Sequence, residues 1–383
     1  MNIYAILKFV VVAFITLVAI DVQAVVPKSC PTGQSWQCEP GLRGKPVCGC
    51  MPDAVPPPPP PTQPQPLRVG KITAGPSRTC ALTNKSSVRC WGPGPTYDRN
   101  VDIETNVADI AGSAFGDALC MIKVDRTLKC IDDRNILTIE TGKDDLELQN
   151  VSAVALGRND ACALINNSVI RCWGAGNITG HRFDSYKHSW PVTNFGGGSD
   201  IAVSGSEYSA DLCAVSGGSV WCVGNNLYSG QGIVNIPQPT YVSYVVAQKG
   251  GFCANGVVAT CWDRNMVYQA AVRGVEHIAV GGNSNLPGQN VCAIDSSGLA
   301  SCWDEVVAPF VGGPPPSITP SHNPVSQLTN FRDISVGGSF TCAVDVLGAV
   351  FCWWSDPNRQ TFDSGELGGS NVLVRPPIAV PLN

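Results

Sequence analysis

The sequence predicts an all-β fold, a seven-bladed β-propeller with one disulfide-bridged hairpin per blade, and three observations predict it. Cysteines recur as seven short-range pairs: Cys80/Cys90, Cys120/Cys130, Cys162/Cys172, Cys213/Cys222, Cys253/Cys261, Cys292/Cys302 and Cys342/Cys352. The first cysteines follow one another at intervals of 40, 42, 51, 40, 39 and 50 residues, and a period near forty is the mark of propeller repeats. Each pair is preceded by an apolar run that ends in small residues and glycine, as in Ile72-Thr73-Ala74-Gly75 and Ile334-Ser335-Val336-Gly337.

Within each repeat the elements follow in a fixed order. The apolar run is rich in β-branched residues, which favour strands; the fifth repeat is degenerate, with Val245-Val246-Ala247 before Gly250. A hairpin comes next. In the third repeat, Cys162-Ala163-Leu164 and Val169-Ile170-Arg171-Cys172 flank Asn166-Asn167, and in the fourth, Ser216-Gly217-Gly218-Ser219 is an explicit turn signal. Cysteines at similar distances from such a turn face each other across the two strands, within disulfide range. The residue after the second cysteine is Trp91, Trp173, Trp262, Trp303 or Trp353 in five repeats, and Ile131 or Val223 in the other two. Strand neighbours face opposite sides, so this residue is expected to pack between blades.

Composition supports the same reading. Of 383 residues only 14% are charged, while 40 are glycine and 30 proline, as suits a turn-rich β protein. A net charge of −5 with no run of Lys and Arg excludes a nucleic-acid surface. The 18 cysteines are spaced too uniformly for a zinc cluster, and His181, His188, His277 and His322 do not track the repeats, so disulfides and no metal are expected.

Four segments are expected along the chain. Residues 1–24 read as a secretory signal peptide, with Lys8, an apolar run over residues 9–20 and Val22-Gln23-Ala24 before the cut. Residues 25–55 form a small module whose Cys30, Cys38, Cys48 and Cys50 can pair in three ways; it is either a docking tag or a capped spacer. Residues 56–66 are proline-rich, a polyproline spacer or a ligand for a proline-binding groove. The propeller spans residues 67–383. No membrane-spanning helix is expected, and the protein is placed outside the cell.

The Ala-Gly strand ends, Cys80-Ala81-Leu82 and Cys162-Ala163-Leu164, and Cys90-Trp91-Gly92 and Cys172-Trp173-Gly174, together resemble the regulator of chromosome condensation repeat family over residues 67–383. The paired-cysteine form is similar to repeats of secreted bacterial proteins and of crinkly-type plant receptor ectodomains. The resemblance implies a seven-bladed ring, with residues 372–380 closing it against the first blade. The nuclear member's exchange activity toward a small GTPase is not expected in an exported, acidic chain. At the level of fold the chain is also similar to the propeller-type β-lactamase inhibitory protein.

No G-x-S-x-G, H-E-x-x-H or phosphate-loop motif occurs, and Asp and Glu are scattered with no evident acid–base pair. The chain is therefore read as a non-enzyme without cofactor, a monomeric scaffold that binds an extracellular protein, peptide or glycan on one propeller face. The alternatives are an enzyme inhibitor and a glycan-active enzyme, the last requiring two carboxylates at the central channel. Arg182, Phe183, Tyr186 and Trp190, in the long segment 175–200, are candidate partner-binding residues, the other reading of that segment being a packed lid. The gaps Gly112 to Cys120, Gly205 to Cys213 and Gly281 to Cys292 are longer than Gly75 to Cys80, and these loops are expected to share one face. Asn84, Asn150, Asn166 and Asn177 stand in glycosylation sequons.

Overall fold

The structure, a computed structural model of the full chain, describes residues 29–32, 34–40, 46–52, 67–92, 101–175, 178, 188–192, 197–205, 210–224, 233–236, 241–248, 251–263, 268–281, 291–303, 330–338, 340–354 and 378–380. The chain divides into two compact units, Met1–Gln65 and Pro66–Asn383. In the first, Gln34–Pro40 and Pro46–Pro52 form an antiparallel hairpin in which Cys38 stands opposite Cys48. Cys30 is bonded to Cys50, which selects one of the three pairings open from the sequence.

The second unit is a β-propeller. Among the described residues, seven antiparallel sheets follow one another, each formed from consecutive strands. Their inner strands are Val69–Ala74, Val107–Gly112, Val151–Leu156, Asp200–Gly205, Tyr244–Gln248, Val275–Val280 and Phe331–Val336, and they number sheets 1 to 7 here. A hairpin follows each inner strand, and in five sheets a fourth strand lies outermost. In sheet 1, Glu104 bridges Val88 at the outer edge.

The hairpins form because their turns are chemically specified. In sheet 7, Asp345 Oδ1 accepts from the N–H groups of Leu347 and Ala349 at 2.9 and 2.8 Å. Gly348 then takes φ +83°, a left-handed conformation that glycine adopts without a Cβ penalty. Asp295 repeats the device in sheet 6. These turns set the register, and every cysteine pair ends up directly opposite: Cys80↔Cys90, Cys120↔Cys130, Cys162↔Cys172, Cys213↔Cys222, Cys253↔Cys261, Cys292↔Cys302 and Cys342↔Cys352. All seven are disulfides, with Cα atoms 4.0 to 4.1 Å apart.

The core is divided among the seven sheet interfaces. In each, the disulfide of one sheet faces the next sheet, and where its side chain is described the residue after the second cysteine faces the sheet before. Trp173 of sheet 3 packs with Cys120 and Cys130 of sheet 2. Trp262 of sheet 5 packs with Cys213 and Cys222 of sheet 4, and Trp353 of sheet 7 with Cys292 and Cys302 of sheet 6. Ile131 and Val223 take the same place against sheets 1 and 3. Trp173 also donates its indole N–H to the Leu137 carbonyl at 3.2 Å. These tryptophans are core, as strand alternation requires. The side chain of Trp303 lies outside the described residues.

Ring closure differs from the expectation. Ile378–Val380 pairs with Val350–Trp354 and completes sheet 7. Of the expected closing segment, residues 378–380 thus pair within sheet 7, and 372–377 lie outside the described residues. The ring closes by packing, with Trp91, Ile72 and Ala81 of sheet 1 against Phe340, Val344 and the Cys342–Cys352 bridge of sheet 7. Two side chains of sheet 7 latch the seam: Ile72 N–H donates to Asp333 Oδ2 and Ala74 N–H to Ser335 Oγ, both at 2.8 Å. Among the described residues the seam shares no strand between sheets 7 and 1; side-chain acceptors satisfy the N–H groups that face it.

Candidate functional site at the channel mouth

The inner strands run side by side in one direction, as the pairs 72/333, 74/335 and 245/200 show. They enclose a central channel of about 570 Å³. Each inner strand carries a buried Ile or Val near its start: Ile72, Ile110, Val154, Ile201, Val245, Ile278 and Ile334. These face the sheet interfaces. One residue earlier stand Lys71, Asp109, Ala153, Asp200, Tyr244, His277 and Asp333. Strand alternation turns these the other way, and Lys71, Asp200, Tyr244, His277 and Asp333 line the channel.

A local distortion helps to aim them. In five sheets the inner strand shifts register immediately before this position, between Val69 and Lys71, Val107 and Asp109, Val151 and Ala153, Val275 and His277, and Phe331 and Asp333. A bulge places one extra residue on the inner strand and re-aims the side chain that follows.

The polar groups at the mouth are held by their neighbours. Lys71 Nζ donates to Asp109 Oδ1 at 2.7 Å. Asp200 Oδ2 accepts from Val245 N–H at 2.9 Å, and Asp333 Oδ2 from Ile72 N–H. The Arg332 guanidinium donates to the Val69 carbonyl. Tyr244 Oη accepts from Ile278 N–H at 2.6 Å and donates to the Glu276 carbonyl at 3.3 Å. His277 lies 6.4 Å from Tyr244, ring centre to ring centre.

Burial dominates the electrostatics. It pushes Asp200 up to about 6 against two backbone N–H donors and the Lys71 charge, with the Asp109 charge adding to the rise. Burial also raises Asp333, opposed by Ile72 N–H and by Lys71 and His277. Tyr244 is raised by burial and by the charges of Asp333 and Asp200. Asp200 and Asp333, far apart in sequence, thus both line one end of one channel. Each is also engaged in holding the neighbouring sheet. The described residues contain no group of His, Cys, Asp or Glu arranged to hold a metal.

Of the candidate partner-binding residues, Trp190 lies on the short outer strand Trp190–Pro191 of sheet 3 and is 42% exposed. Arg182, Phe183 and Tyr186 lie outside the described residues, as does Asn177. The other sequon asparagines are exposed and stand at the mouth end. Asn84 is in the hairpin turn of sheet 1, where its N–H donates to the Arg68 carbonyl at 2.7 Å. Asn150 precedes the inner strand of sheet 3, and Asn166, in that sheet's hairpin turn, donates its N–H to the Asn150 carbonyl at 3.1 Å. Gly112, Gly205 and Gly281 lie at the far end of the inner strands, so the variable loops leave from that end.

The mouth residues escaped the reading of the sequence because no two are neighbours in it. Aligning the seven repeats on the buried Ile or Val and reading one residue upstream would have found them.

No known family profile matches the sequence, and no curated protein matches it. Among solved structures, Prp20p from Saccharomyces cerevisiae, described with its binding to Gsp1p and histones, matches at 15% identity. That match covers 81% of this chain and 76% of the other, with a TM-score of 0.48. The crinkly ectodomain of the Arabidopsis thaliana receptor kinase ACR4 matches at 16% identity, covering 75% of this chain and 96% of the other at a TM-score of 0.49. Yeast RCC1 (Prp20) bound to Kap60 matches at 15% identity over 82% and 75%, at 0.46. All three scores are below 0.5, so the architecture here rests on the strand pairing and the seven interfaces. No helix of the described residues is long and apolar enough to cross a membrane.

Proposed function

We propose that this protein is a secreted, extracellular binding scaffold that recognises a protein, peptide or glycan on one end of its propeller, without chemistry of its own. The observation that carries the reading is the contrast between two adjacent positions of the seven inner strands. The core position is Ile or Val every time, because the interfaces demand it. The position before it is Lys, Asp, Ala, Asp, Tyr, His and Asp. A position whose residue type changes from sheet to sheet and that lines an opening is where a binding surface is written. The seven hairpin disulfides support the extracellular placement, since such bonds persist in oxidising compartments. Asp200 and Asp333 support binding over hydrolysis, because each is bonded to a backbone N–H of the neighbouring sheet.

The exposure of Trp190 favours a second reading, in which the scaffold blocks an enzyme through an aromatic rim. One experiment addresses both. The full oxidised chain is immobilised and challenged with extracellular proteins and wall polysaccharides of its own habitat. A saturable partner lost with Asp333→Asn but kept with Trp190→Ala places binding at the mouth. Loss with Trp190→Ala, together with inhibition of the partner's activity, establishes the second reading. Retention through residues 25–55 alone refutes both.

A further inference from the structure

We infer that the central channel is a receptor for a cation carried on an apolar stem, with the charged head between Asp200 and Asp333 and the stem along the aliphatic wall below them. At about 570 Å³ the channel has the size of a small-molecule site. Below the mouth its lining is mainly aliphatic, at Ala111, Ala114, Val246 and Ala279, with Thr73 and Ser335 among them. The mouth is polar, so the cavity is amphipathic along its axis.

The charges at the mouth decide the sign of the head. Its ammonium group is already matched, because Lys71 sits on Asp109 at 2.7 Å. The Arg332 guanidinium caps the Val69 carbonyl. Asp200 and Asp333 are anchored by backbone N–H donors, which fix their orientation without neutralising their charge. A carboxylate oriented in advance in a half-buried wall attracts a cation more strongly than one in water. Burial raises the protonation points of both carboxylates, with Lys71 opposing it at each.

A lysine side chain of a bound segment and a free alkylamine share this chemistry. The inference deepens the binding-scaffold reading and rests on it only for the first of these sources. The test is calorimetric titration of the full oxidised protein at pH 7.5 with n-hexylamine, with n-hexanol, and with a capped Gly-Lys-Gly peptide. Hexylamine is expected to bind at least about tenfold more tightly than hexanol. Asp200→Asn and Asp333→Asn each keep an acceptor oxygen for the neighbouring N–H and are expected to weaken hexylamine about tenfold or more. Ala114→Leu, at a lining residue outside the interface clusters, narrows the channel and leaves both carboxylates in place; it is expected to weaken binding too and serves if either Asn variant fails to fold. Binding of the peptide assigns the cation to a partner chain; binding of hexylamine alone assigns it to a free amine. Equal affinity for hexanol and hexylamine, indifference to the carboxylate variants, or no binding of any probe overturns the inference. None of these results bears on capture of a partner elsewhere on the ring, so the wider reading stands or falls separately.

Discussion

Two carboxylates show how one residue type is tuned in opposite directions by its surroundings. Glu104 bridges sheets 1 and 2 through Lys123 and Lys129, at 2.6 and 2.5 Å. Burial alone would raise its protonation point, but the two ammonium groups outweigh it and hold Glu104 at about 2. A lowered value means that the ionised form stabilises the fold: the contribution is complete above about pH 4.5 and fades as pH falls toward 2. Glu104→Gln should therefore lower stability at pH 7 by about 1–3 kcal/mol, a difference that closes in melting curves taken near pH 2. Asp200 has the opposite sign. With its value raised from 3.8 to about 6, its stabilising contribution is present below pH 3.8 and is lost as pH rises through 6. Asp200→Asn should raise the melting temperature at pH 7.5, by the equivalent of about 1–2 kcal/mol after allowance for solvent screening, and leave it unchanged at pH 3.5. A variant less stable at pH 7.5 would show that the carboxylate's bond to Val245 outweighs its burial.

At the scale of the element, each hairpin serves two interfaces at once. The disulfide closes a loop of about ten residues, which contributes less than about 3 kcal/mol by chain entropy, and its sulfurs also form packing surface for the next sheet. Thr79 donates its hydroxyl toward Cys342 at 3.8 Å across the closing seam, and Thr341 toward Cys292 at 3.5 Å between sheets 6 and 7. Replacing Cys162 and Cys172 together with alanine should loosen sheet 4 as well as sheet 3, because both cysteines belong to that shared cluster. Hydrogen exchange would show this as lost protection in Asp200–Gly205 and Ala210–Ser216. Protection lost from sheet 3 alone would mean that the bridge acts only on its own hairpin. Trp173→Ala should cost about 3–5 kcal/mol, since the ring fills the interface with sheet 2 and its N–H satisfies Leu137. Chemical denaturation of the oxidised protein measures it.

In the whole molecule, stability is a sum over seven interfaces that must all form for the ring to close, each sheet leaning on two neighbours. The seam between sheets 7 and 1 joins the strands most distant in sequence, so it carries the largest loop-closure cost. Ser335→Ala removes the acceptor for Ala74 N–H and should weaken that seam by about 1–3 kcal/mol. Limited proteolysis should then cut first near sheets 1 and 7. Peptide mapping without reduction should recover the seven hairpin bridges and Cys30–Cys50; free thiols at the hairpin positions would remove the basis of the extracellular reading.

Repetition explains which of these features were legible in the sequence. The strand, the hairpin, the pairing of Cys162 with Cys172 and the burial of Trp173 are local or recur with the repeat, so composition and spacing determined them. Local turn chemistry at Asp295 and Asp345 sets the register, and register alone brings the cysteines face to face. Closure is different. Whether Ile378–Val380 finishes sheet 7 or joins sheet 1 depends on the fit of sheets whose residues lie more than 260 positions apart, and both pairings suit the same apolar segment. The mouth was hidden for the same reason. Lys71, Asp109, Asp200, Tyr244, His277 and Asp333 each look like an isolated polar residue at a strand start. Only the parallel alignment of seven inner strands, five of them bulged just before this position, brings them to one opening. Sequence determines what recurs within forty residues, through hydrogen bonding and alternation; tertiary structure decides what meets across the ring, because that depends on where every strand comes to stand.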